Sequence, residues 1–408
     1  MSRKTLKILF HMGAKEYKEE YERRFNDEDT IHLPIKIGND QAFICQTSDI
    51  YKRIISIERL DKKVRQFMNK LPGVAIKQFT NECLIEEIIK TNKIEGVHST
   101  RKEIGEIVRD LSSQNKQNRF VGIVSKYESL MMNQEISFKT CQDIRNVYDD
   151  IFFEEIKSTN PEDLPDGQIF RKSGVEVLSP TQKVIHKGLM PESKIIEAFE
   201  RGLEVLNNED IDIFIRISFF HYLFGYIHPF YDGNGRTSRF ISSYLLSRYL
   251  TSLIGFRLSY TIKEKSTKYY EAFEVCNSPH NKGELTPFVE MFLSIIEESM
   301  NQLCLTLEEK NIQLKHYHNF ICNLPNAEQK DVKTLYYILV QAALFSNLGI
   351  DRETLFKHMK CTENTLRKKL KMIPESLLIE NRQANKRKFY LLNLEEVDKM
   401  FEEKCIDK

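Results

Sequence analysis

Apolar residues return every three to four positions over most of this chain, and that period predicts a mainly α protein. From Ser48 to Leu71, residues Ile50, Ile54, Ile55, Ile57, Leu60, Val64, Phe67, Met68 and Leu71 recur with helical period, and Pro72-Gly73 stops the run. A second helix is expected from Ile76 to Thr91, with Gly96 as its C-cap signal. Further helices are read at 99–113, 120–130, 140–153, 191–206, 264–276 and 285–314. Two apolar runs, Ile211–Ile227 and Phe240–Leu250, read as buried helices although they carry Asp212, Arg216 and His221, or Ser247 and Arg248. The period switches to two at Val175, Val177 and Val184, with turn residues at Ser179 to Gln182, so a β-hairpin is expected at 173–186. Such a hairpin must pack on helices to be stable. Its open edge either pairs with another extended chain or serves as a structural cover. Residues 1–45 predict a solvated helix at 17–24 and a short strand at 31–37.

The character changes past residue 318. An apolar helix at 335–345, a helix capped by Asp351, another opened at Thr362, and a hairpin from Leu377 to Leu392 form a winged helix-turn-helix pattern. Between 351 and 388 eleven Lys/Arg stand against five Asp/Glu, a local charge of +6. That balance fits a nucleic-acid footprint and also an ordinary solvated surface.

The densest chemistry lies between the two buried runs, in His228-Pro-Phe-Tyr-Asp-Gly-Asn-Gly-Arg-Thr-Ser-Arg239. Two glycines and an asparagine before a helix aim backbone N–H groups inward, and the helix N-terminus is electropositive, so the stretch is a phosphate site. Arg236 and Arg239, three apart, add charge-assisted donors on one helical face. Asp232 is a hard oxygen ligand suited to Mg²⁺. His228 is a base at the loop entrance. Together they equip the loop for chemistry on a nucleoside triphosphate. Far upstream, Glu95 is placed by Gly96 in the last turn of its helix, against the negative end of the dipole. Two readings stand: a solvated glutamate, or one with a partner elsewhere.

Composition narrows the setting. The 408 residues suit two or three domains, and the net charge of +1 points to no polyanion partner for the whole molecule. Eight cysteines without a CxxC pair, and no secretory signal, fit a reduced cytoplasmic setting. The most apolar windows carry charges and are too short to span a bilayer, so no membrane partner is expected.

The twelve-residue stretch resembles the signature of Fic-domain proteins, HxFx[D/E]GNGRxxR, with every specified position filled. Thr91-Asn-Lys-Ile-Glu95-Gly96 is similar to the family's inhibitory motif, [S/T]xxxE[G/N]. The resemblance covers roughly residues 80 to 300. It implies a Fic helical bundle with a β-hairpin flap, and domains at 1–115 (helical, with the inhibitory helix), 116–315 (catalytic core) and 325–408 (winged helix-turn-helix). It implies transfer of AMP from ATP to a hydroxyl of a target protein, with release of pyrophosphate. His228 would be the base and Asp232 the Mg²⁺ ligand. Gly233, Asn234 and Gly235 would cradle the α-phosphate, Arg236 the β-phosphate and Arg239 the γ-phosphate, with Tyr270 and Asn277 around the adenine. Glu95 would pair with Arg239 and obstruct the γ-phosphate; in some members the same glutamate positions a water that removes AMP, which makes a Glu95-dependent de-adenylylating enzyme the alternative. The target would dock on the 173–186 hairpin, with self-modification, oligomer formation and DNA contact by the C-terminal domain left open.

Overall fold

The computed structural model describes residues 3–110, 118–132, 134–178, 184–382 and 387–406. Along the chain run α1 (Leu6–Met12), α2 (Ala14–Phe25), β1 (Thr30–Ile37), β2 (Asp40–Cys45), α3 (Ser48–Met68), α4 (Gly73–Ile94), α5 (Arg101–Asp110), α6 (Val121–Met131) and α7 (Cys141–Thr159). Then come β3 (Glu176–Leu178), β4 (Val184–Lys187), α8 (Glu192–Leu206), α9 (Ile213–Ile227), α10 (Asn234–Tyr249), α11 (Leu258–Glu264), α12 (Ser266–Asn277) and α13 (Thr286–Ile321). Last are α14 (Lys330–Phe345), β5 (Ile350–Asp351), α15 (Arg352–His358), α16 (Glu363–Leu370), β6 (Leu378–Arg382), β7 (Lys388–Leu392) and α17 (Leu394–Ile406). The architecture is mainly α. No helix among the described residues is long and apolar enough to cross a membrane.

The chain divides into two compact units, residues 1–61 with 84–301, and residues 62–83 with 302–408. In the first, α9 is the centre. Asp212 caps its start by accepting from the Phe214 N–H at 2.8 Å, and nearly every residue from Phe214 to Ile227 is buried. A helix apolar all round must be enclosed, and α8 and α10 pack on it. Ring contacts among Phe170, Phe199, Phe220, Phe224 and Phe230 fill the space around it. The hairpin forms from β3 and β4, with Glu176 opposite Lys187 and Val177 opposite His186. Its expected turn, at 179–182, lies outside the described residues.

The sequence reading is corrected in three places. Residues 40–45 form a second strand, so β1 and β2 make a hairpin turned at Gly38, whose φ is +60°. β2 is buried at four consecutive positions, so it shows no alternation to read. The backbone of Phe43 is bonded to Gly283 and Leu285, which extends that pairing onto the loop before α13. The helix expected at 264–276 forms as α12, and a short helix not expected from the sequence, α11, precedes it and ends at Glu264. The helix at 17–24 is not simply solvated: Arg24 is buried and bridges Glu284 at 2.9 Å.

In the second unit β5, β7 and β6 form a three-stranded antiparallel sheet in that order. Asp351 caps α15 by accepting from the Thr354 N–H at 2.8 Å, and Thr362 caps α16 through the Thr365 N–H at 3.3 Å. Leu335, Leu339, Leu355, Leu366, Leu377 and Phe389 close its core.

Candidate active site

Two left-handed residues bracket the loop between α9 and α10. His228, at φ 52° and ψ 65°, ends α9, and Gly233, at φ 78°, opens α10. A histidine in this region is uncommon and is kept there by its surroundings. The His228 N–H still donates to the Phe224 carbonyl at 2.9 Å. Within the loop Asn234 folds back on Phe230: the Phe230 N–H donates to Oδ1 at 2.9 Å, and Nδ2 donates to the Phe230 carbonyl at 2.8 Å. Phe230 is itself locked by stacking on Tyr148, with centroids 3.6 Å apart. The side chain of Asn234 is therefore spent on loop closure, and only its backbone remains for an anion.

Arg236 and Arg239, in the first two turns of α10, are both buried and carboxylate-paired. Arg236 Nη1 donates to Glu155 Oε1 at 2.7 Å, and Nη2 lies 3.4 Å from Asp232 Oδ2. Its guanidinium also sits over the Phe152 ring at 4.4 Å. Arg239 reaches α4 instead. Its Nε donates to Thr91 Oγ1 at 2.8 Å, and Nη2 donates to the Thr91 carbonyl at 3.1 Å and to Glu95 Oε1 at 2.8 Å. The Glu95 carboxylate also lies against Gly235, where an added Cβ would overlap Oε1. An anionic group thus occupies the N-terminal turn of α10, the position a phosphate would take.

Charge and burial set the protonation states. Burial drives the His228 imidazole down to about 4; Glu95 opposes that shift, and Arg171 adds to it. The ring is neutral near pH 7, the state a base requires. Burial raises the Glu95 carboxyl, but Arg239, by charge and by hydrogen bond, outweighs it and holds Glu95 below the usual range. His221, buried between Ser242 Oγ at 2.8 Å and Tyr269 OH at 2.7 Å, is driven by burial to about 3 and stays neutral.

The remaining expected residues are placed less centrally. Tyr270 and Asn277 lie two turns apart on α12. Glu95 and Arg239 both act on the Tyr270 hydroxyl, which burial pushes up. Asn277 Oδ1 accepts from Tyr222 OH at 2.7 Å. Asp232 keeps about half its side chain exposed, with Oδ1 accepting from the Gly233 N–H at 2.5 Å. Among the described residues no group of three or more His, Cys, Asp or Glu is poised to hold a metal. A single half-exposed carboxylate still fits Mg²⁺, which keeps several waters and takes its other ligands from phosphates. Sequence reasoning missed Thr91 as an Arg239 acceptor, Glu155 as the Arg236 counter-ion, and Arg171.

Residues 139–246 match the model of the Fic/DOC family. The chain carries a Fic domain. Glu95, Tyr270 and Asn277 lie outside the matched Fic segment. The chain is similar to a protein named "Protein adenylyltransferase Fic" from Drosophila ananassae, 25% identical over 285 residues, which are 66% of this chain and 52% of the relative. A protein of the same name from Aedes aegypti is 27% identical over 256 residues, 60% of this chain and 46% of the relative. The chain thus spans about half the length of these relatives. Among solved structures, a Fic family protein from Desulfovibrio desulfuricans G20 aligns with a TM-score of 0.52 at 18% identity, covering 89% of this chain and 98% of that one. That likeness is one of fold.

Proposed function

We propose that this chain is a protein adenylylyltransferase held off by its own Glu95. The observation that carries the reading is the Glu95 carboxylate, bonded to Arg239 at 2.8 Å and seated against Gly235. ATP would bind over the α10 N-terminus, with Arg236 and Arg239 as cationic clamps. The target hydroxyl oxygen forms a bond to the α-phosphorus while the bond from that phosphorus to the bridging oxygen breaks. The hydroxyl proton passes to His228, and the electron pair leaves on pyrophosphate. Asp232 would hold Mg²⁺, which supplies charge neutralisation on the triphosphate. The protein's own share is positioning and charge stabilisation. With Glu95 in place Arg239 is engaged, so the γ-phosphate has no partner there. Radiolabel transfer from α-labelled ATP tests the reading. Glu95→Gly should label itself or a lysate protein, wild type weakly, and Glu95→Gly/His228→Ala not at all. No labelling by Glu95→Gly would overturn it. Glu95-dependent release of AMP from a pre-labelled protein would instead show that removal is the main direction.

A second reading concerns the C-terminal unit. Asn364, Arg367, Lys368 and Lys371 form one exposed stripe of α16, and among the described residues the three cations there and Lys360 carry no ion pair. We propose that this stripe contacts a DNA backbone. Four phosphate contacts would give a salt slope of about −3 to −4 in log–log form. A mobility shift on duplex DNA that shows no salt-sensitive binding would leave the unit a packing module.

A further inference from the structure

Arg171 is fully buried, and among the described residues no carboxylate pairs with it. It donates instead to four backbone carbonyls. Nε reaches His228 O at 2.9 Å, Nη1 reaches Ser173 O at 2.6 Å, and Nη2 reaches Leu189 O at 2.9 Å and Ile227 O at 3.4 Å. These acceptors belong to three separate stretches: the entry to the β3–β4 hairpin, its exit, and the end of α9 where His228 turns left-handed. Two backbone bonds run alongside, Arg171 N to Pro229 O at 3.3 Å and Leu189 N to Ile227 O at 3.0 Å. The packing leaves no slack, because a Cβ on Gly188 would overlap Nη2 of Arg171.

The charge has a reason to be there. Carbonyls at the end of α9 carry the negative pole of the helix, and a cation satisfies them. A planar fork with five donors can bind several acceptors in one plane, whereas an ammonium has three donors and no plane. The same charge lies near His228 and disfavours a second proton on its ring.

We propose that Arg171 is a positioning residue for the transfer reaction: it fixes the His228 backbone and both stems of the flap as one rigid unit. The proposal rests on the adenylylation reading above. It places the base and the docking strand in a fixed relation, so an extended target segment on the hairpin presents its hydroxyl at one distance from His228. A shift of about 1 Å in such a relation can lower a rate about 10²-fold.

The test uses the full chain. In the Glu95→Gly background, Arg171→Lys and Arg171→Met should each lower the AMP-transfer rate roughly 10- to 100-fold. ATP affinity by calorimetry should stay within about twofold, because Arg171 touches no part of the α10 cradle. Histidine-selective NMR of the wild-type chain reads the second effect. The His228 titration should move upward in Arg171→Met, which loses the charge, and hold in Arg171→Lys, which keeps it. If Arg171→Met does not fold, the Lys variant decides through its rate against its ATP affinity. Parental transfer in both variants, or a His228 titration unmoved in Arg171→Met, would overturn the proposal. If Glu95→Gly with Arg171 intact transfers nothing, the adenylylation reading has failed by itself, and the titration alone then decides for Arg171.

Discussion

Arg239 Nη2 donates to Glu95 Oε1 at 2.8 Å, and the pair joins residues 144 apart in sequence. Arg239 is buried, while 29% of the Glu95 side chain remains exposed. The exposed partner is the one free to leave. Glu95→Gln keeps an acceptor for Arg239 but removes the charge, so it should release ATP binding only in part. Calorimetry should rank apparent ATP affinity as Glu95→Gly above Glu95→Gln above wild type. Equal affinities for all three would separate the pair from nucleotide binding.

The Arg236–Glu155 pair behaves differently, since both side chains are almost fully buried. Removing one partner of a buried pair strands the other charge and costs about 3–5 kcal/mol. Glu155→Ala should therefore lower stability by that order in denaturant unfolding followed by circular dichroism, the chain having no tryptophan. A change below about 1 kcal/mol would mean that Asp232 or water takes over the charge of Arg236.

His228 gives a pH signature. Burial already holds its ring at about 4, and Glu95 pulls that value upward. In Glu95→Gly the upward pull is gone, so the ring stays neutral to lower pH still. The transfer rate of Glu95→Gly should stay flat as pH falls from about 8 to 6, without the decline that an ordinary imidazole near 6.5 would impose. A midpoint near 6.5 would show His228 to be solvated.

Glu87, one turn before Thr91 on the same face of α4, is fully buried and accepts from the Ser259 N–H at 2.9 and 3.0 Å. Burial raises its carboxyl from 4.5 to about 7. Its folded value exceeds its unfolded one, so the stability it contributes is complete below about 4.5 and lost as pH rises through about 7. That loss is about 3 kcal/mol from the shift. Glu87→Gln should raise the thermal midpoint more at pH 8 than at pH 5. An equal shift at both would show that Glu87 does not titrate there.

The two levels of reading differ in what they need. The loop from His228 to Arg239 was legible because its chemistry is contiguous, and Glu95 drew notice because Gly96, at φ +74°, ends its helix there. Arg171 was not legible, since its partners are carbonyls, which every residue carries. Glu155 was hidden likewise: its partner is 81 residues away, and nothing in α7 marks a buried carboxylate. β2 was missed because burial on both faces erases the alternation a strand normally shows. The break between α11 and α12 has no glycine or proline to signal it.

The order of synthesis gives the long-range pair one more meaning. Glu95 leaves the ribosome 144 residues before Arg239, about 7–30 s at ordinary elongation rates. The helix bearing Glu95 can therefore form before the glycine loop has been made. A copy that folds in that order would close its anion cradle around a carboxylate already made, so Glu95 and not a nucleotide would be the first anion to meet Arg239.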